Sequence, residues 1–111
     1  MNNLMFDKRA ERFYVLYALY KRVNGSTDFA INLRDAAYSE GVGYHAYRTA
    51  YNYLVSERLI EPRMKSDGTN EYETYNYYAC ITTKGINAAE ESFREPEKDT
   101  QYFPAYRQMM R

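Results

Sequence analysis

In one stretch of this 111-residue chain, four side chains able to form hydrogen bonds fall at helical spacing. His45, Arg48, Thr49 and Asn52, with Ser56 beyond them, share one face of a helix predicted over residues 44–58, and Tyr44 opens it. The opposite face carries Tyr47, Tyr51, Leu54 and Arg58, with Ala50 and Val55 beside them. Arg48 is a planar fork of donors, and Asn52 sets a donor beside an acceptor. Such groups suit recognition of flat polar edges and anions. The means for bond-breaking chemistry are scarce. There is one histidine and one cysteine, and no glycine-rich phosphate loop. Glu90 and Glu91 are adjacent on a helix, so they diverge and do not form a carboxylate pair. No second histidine is present to complete a metal site with His45. The chain is therefore not expected to be an enzyme, and neither cofactor nor metal is expected.

The rest of the chain must position that face. Its length is that of one domain. Fifteen basic residues balance fifteen acidic ones, so the net charge is zero, which excludes histone-like and acidic-tail readings. The aromatic share is 17%, with 14 tyrosines and no tryptophan, and it argues against disorder. Tyr14, Tyr17, Tyr20, Tyr47 and Tyr51 read as core and interface. Basic residues do not interleave with Tyr72, Tyr75, Tyr77 and Tyr78, so these are not expected to form a stacking platform for single strands. A lone cysteine allows no internal disulfide, and Cys80 reads as a small buried strand residue. The longest unbroken apolar run, residues 13–20, is far short of the roughly 20 residues a membrane span needs. With no secretory leader visible, the expected location is the cytoplasm.

Hydrophobic spacing predicts a first helix over residues 8–24, stopped by Asn24-Gly25. Val15, Ala18 and Leu19 make its middle apolar nearly all round, so it should be covered on more than one side, one cover being a candidate second subunit. A short strand is expected over residues 28–31. Asn32 should cap a second helix, with Asp35 as its capping-box partner. Gly41 should end that helix, and Val42 is the one apolar residue of the tight turn. After the third helix, residues 59–65 and 72–81 read as a hairpin around a turn at residues 66–70, with Pro62 marking an edge strand. Thr82 or Thr83 should cap a last helix reaching about residue 93, with Ile86, Ala89 and Phe93 on its apolar face. Residues 1–95 thus read as one domain. Residues 96–111 read as an apolar tail, a possible arm for packing or dimerisation.

The order helix, short strand, helix, tight turn, helix, hairpin, helix resembles the winged helix-turn-helix domain over about residues 10–94. Three passages carry the likeness. Leu33-Arg34-Asp35-Ala36-Ala37 with Gly41-Val42-Gly43 is similar to the turn before a recognition helix. Residues 47–60 are similar to the end of such a helix and the start of a wing. Ile81-Thr82-Thr83-Lys84-Gly85 is similar to the strand-to-helix step of MarR-like and PadR-like repressors. That family usually has glycine where this chain has Arg58. The implied fold is α+β, a winged helix: a three-helix helix-turn-helix core, a β-hairpin wing and a C-terminal helix.

The resemblance implies a small transcriptional regulator that binds double-stranded DNA with residues 44–58 in the major groove. Arg48 would then read guanine and Asn52 adenine. His45 and Thr49 would touch bases or phosphates, Tyr44 would donate to a phosphate, and Arg63 and Lys65 would neutralise the backbone along the wing. Reading two half-sites implies a homodimer, through the first helix or through the tail. If the tail is the interface, removing residues 97–111 should shift the protein toward monomer. Charge argues in both directions. Residues 1–25 and 44–65 carry a basic surplus, but Asp67, Glu71 and Glu73 make the wing acidic. The alternative is a winged-helix module for protein–protein interaction without DNA binding. Pairing of the basic residues with Glu57, Glu61 or Glu71 would favour it.

Overall fold

The computed structural model describes residues 4–63 and 77–110. Helix α1, Leu4–Val23, starts four residues earlier than expected and stops where Asn24-Gly25 predicted. Both residues are left-handed, with φ 56° and 72°. Their amides return to the Lys21 and Tyr20 carbonyls at 3.3 and 3.1 Å, which satisfies the open end of the helix.

Strand β1 is only Ile31–Asn32. The remainder of its expected span is taken up by a turn in which the Asp28 amide donates to Ser26 Oγ at 3.2 Å. Asn32 caps helix α2, Leu33–Ser39, its Oδ1 accepting the Asp35 amide at 3.1 Å. Gly41, at φ 86°, closes α2, and the Val42 amide reaches the Ala37 carbonyl at 3.1 Å. Val42 itself turns inward and is buried, supplying the apolar contact that accompanies this closure.

Helix α3, Tyr44–Ser56, ends two residues short of the expected limit. Arg58 adopts φ 62°, a left-handed conformation that favours glycine. The Arg58 and Leu59 amides bond to the Val55 and Leu54 carbonyls at 3.0 and 2.9 Å, the same closure as in α2. Arg58 is exposed and carries the strain because Leu59 behind it is fully buried.

Strands β2, Ile60–Pro62, and β3, Tyr78–Ile81, pair antiparallel, with Ile60 opposite Ile81 and Pro62 opposite Ala79. β1 adds to the other side of β3, giving the order β1-β3-β2. Pro62 therefore sits on an edge strand, as its missing amide requires. The expected turn at residues 66–70, Lys65, and the first half of the returning strand lie outside the described residues. Helix α4, Thr83–Arg94, is capped by Thr82, whose Oγ1 accepts the Gly85 amide at 3.0 Å. A last turn of helix, α5, covers Tyr106–Met109. Among the described residues the architecture is α+β, with five helices and a three-stranded antiparallel sheet.

The core forms around α1, where Phe13, Val15, Leu16, Ala18 and Leu19 are all essentially inaccessible. Other parts of the chain cover much of this helix. The tail lies over α1, with the Phe103 and Tyr106 rings edge-on to Phe13 at 5.2 and 5.8 Å. Tyr14 donates to the Met109 carbonyl at 2.8 Å, and Arg9 to the Thr100 carbonyl at 3.1 Å. Helix α4 packs inward through small residues, Gly85, Ala88, Ala89 and Ser92, while Ile86 and Phe93 of its expected apolar face are half-buried. The closest approach is at Gly85, where a Cβ would stand 2.0 Å from the Leu59 carbonyl oxygen and 2.9 Å from Ile81 Cγ1.

Two substitutions at this junction should act in opposite directions. Gly85→Ala forces backbone against backbone and should destabilise by about 3 kcal/mol or more. Arg58→Gly relieves a left-handed non-glycine residue and should stabilise by about 1 kcal/mol. Urea unfolding of both variants beside the native chain reads the two signs.

Candidate nucleic-acid interface

The exposed face of α3 is oriented from both ends. At its start, Gly43 caps without a side chain, so the first amides of the helix face outward. At its end, the Arg58 closure drives Leu59 into the core. Along its length, Tyr47, Ala50, Tyr51 and Leu54 are buried. On its α1 side, the Arg12 guanidinium lies 3.9 Å from the centre of the Tyr53 ring, a cation–π contact that ties α3 to α1.

Burying that stripe turns the predicted polar face outward. Tyr44, His45, Thr49 and Asn52 are exposed, and Arg48 is half-buried. Arg48 Nη1 donates to the Tyr44 hydroxyl at 3.0 Å, so these two act as a unit one turn apart. The Tyr44 and His45 rings meet edge-on at 5.7 Å. Arg63 lies apart from this group, on the edge strand. It is exposed and paired with Glu61 at 2.7 Å, and its Nη1 also reaches the Pro62 carbonyl at 3.2 Å. Lys65 falls outside the described residues.

The sequence reading left Arg34 and Tyr38 of α2 out of this surface. The Arg34 guanidinium lies 3.9 Å from the centre of the Tyr77 ring and 6.0 Å from that of Tyr38. It also pairs with Asp35 at 3.3 Å. Tyr77, the residue before β3, is therefore in contact with a basic residue. The only advance signal was the four-residue spacing of Arg34 and Tyr38 on one face of α2.

Tyr47 joins the two arginines from beneath. Burial pushes its phenol far above the ordinary value of about 10, with a further push from Tyr51, while Arg34 and Arg48 both pull it back. Both guanidiniums thus act electrostatically on one phenol, Arg34 from α2 and Arg48 from α3. Cys80 is the one cysteine of the chain. It is buried on β3, and burial raises its thiol above the ordinary range. Among the described residues no three histidine, cysteine or acidic side chains gather as a metal site, and no helix is long and apolar enough to cross a membrane.

Compared with family models, with curated proteins and with solved structures, the chain matches none.

The raised Tyr47 phenol sets an alkaline limit on stability. The unfolded chain releases this proton near pH 10, and the folded chain holds it. Stability from this group is therefore complete below pH 10 and falls as pH rises toward the folded value, by up to about 1.4 kcal/mol per pH unit. Tyr47→Phe should remove that share of the slope, as seen in urea midpoints between about pH 8 and 11.

Proposed function

We propose that the chain is a winged-helix protein that binds double-stranded DNA, with α3 in the major groove, as a small transcriptional regulator. The element order α1, β1, α2, α3, β2, β3, α4 supports this reading, as does the pairing of β1 with β3 beside β2. The observation that carries it is the exposed row Tyr44, His45, Thr49 and Asn52 with Arg48 among them, on a helix whose other face is buried. Arg48 offers a fork to guanine O6 and N7, and Asn52 pairs with adenine N6 and N7. Tyr44 holds the arginine in register and sits at the helix N-terminus, where a phosphate is favoured. Arg34 of α2 adds a cation beside the groove. Two such helices reading half-sites about 34 Å apart call for a homodimer.

One observation favours the other reading, a winged-helix module that binds protein. Arg63, the described cation of the hairpin, is paired with Glu61.

Selection from random-sequence duplexes, followed by binding at two salt concentrations, separates the two. The DNA reading expects affinity that falls as salt rises. Arg48→Ala should cost about 1–3 kcal/mol on the selected sequence, while Arg34→Ala should weaken all sequences alike. Absence of binding at low salt would remove the DNA reading and leave the protein-binding one.

A further inference from the structure

On the far side of α1 from α3, the chain forms a hollow of about 690 Å³ between α1, the end of α4 and the tail. This is within the size range of small-molecule sites. Its apolar surface is aromatic. Phe93 meets Tyr17, Tyr20 and Tyr106 edge-on, at 5.5, 5.6 and 5.4 Å. These rings fix one another and leave a preformed wall. The Tyr20 hydroxyl is held by Glu90 Oε2 at 2.7 Å, which locks its ring in place. Among the described residues, the charged side chains lining the hollow are Lys21 and Arg107, both cations.

We propose that this hollow binds a small planar aromatic anion, with its ring system against the Tyr17, Tyr20, Phe93 and Tyr106 wall and its acidic group between Lys21 and Arg107. Aromatic walls take flat ring systems by offset or edge-on packing. A cationic pair with no acid in the lining selects negative charge. Each cation also holds a carboxylate outside the hollow, Lys21 with Glu40 at 2.8 Å and Arg107 with Glu97. Both pairs are solvent-exposed, and such pairs are weak enough for a bound anion to displace. The site is independent of α3, so it stands or falls apart from the DNA reading. A carboxylate and a phosphate satisfy the same two cations, and competition by benzoate-type and aryl phosphate compounds distinguishes them.

The test uses the full chain with anilinonaphthalene sulfonate, a fluorescent aromatic anion, and with uncharged N-phenylnaphthylamine, which has the same rings. The native protein should bind one equivalent of the sulfonate saturably while keeping its thermal unfolding transition. Lys21→Met with Arg107→Met should weaken the sulfonate at least tenfold and leave the uncharged probe unchanged. Met110→Trp, at the rim, fills the hollow from the exposed tail without touching the core and should weaken both probes. The proposal is overturned if the folded native chain shows no saturable binding, if the double variant binds the sulfonate as tightly as native, or if Met110→Trp leaves both probes unaffected.

Discussion

The contact between Gly85 and the Leu59 carbonyl sets the geometry of the whole molecule. No side chain fits there, so the first turn of α4 lies directly on the backbone that leaves α3. That closeness lets α4 complete the end of α3. Lys84 Nζ takes the Glu57 carbonyl at 3.0 Å, the Thr82 hydroxyl takes that of Arg58 at 2.7 Å, and the Thr82 amide takes that of Leu59 at 3.2 Å. Three successive carbonyls that would otherwise face solvent or core are thus satisfied by two residues, Thr82 and Lys84. The same Thr82 oxygen accepts the Gly85 amide and starts α4. The exit of α3, the sheet and the start of α4 are therefore a single joint, and the direction in which α3 presents its polar face follows from it.

The second constraint is α1. A helix apolar on most of its circumference needs neighbours on several sides, and here α2, α3, α4, the sheet and the tail provide them. This accounts for the excess of tyrosine. At Tyr14, Tyr17, Tyr20 and Tyr106 a ring must pack on one side while its hydroxyl faces a carbonyl, a carboxylate or water on the other. The tail then belongs to the core of its own chain. Stripping it from α1 would uncover Phe13, so any association of subunits that needed the tail free would first have to break the Phe13–Phe103 and Tyr14–Met109 contacts.

What could be read in advance was local. The stop at Asn24-Gly25, the Asn32 and Thr82 caps, the Gly41 turn and the edge position of Pro62 each depend on a few neighbouring residues and their backbone preferences. The alternation of buried and exposed positions on α3 was legible for the same reason. Other features were not legible because their causes lie in tertiary packing. The Arg58 conformation accompanies burial of its neighbour Leu59 in the core, against the preference of arginine itself. The intolerance of any side chain at Gly85 comes from Leu59. Arg34 reads as one more exposed helix cation until the chain returns at Tyr77 and lays a ring against it.

That last contact bears on how the arginines are held. Arg63, the described cation of the hairpin, is paired with the exposed Glu61 carboxylate, and Arg34 is likewise paired with Asp35. Arg34 also lies against the Tyr77 ring and Arg48 donates to the Tyr44 hydroxyl, and a tyrosine orients a guanidinium without cancelling its charge. Tyrosines of α3 and of the segment before β3 thus fix the direction in which these two guanidiniums point.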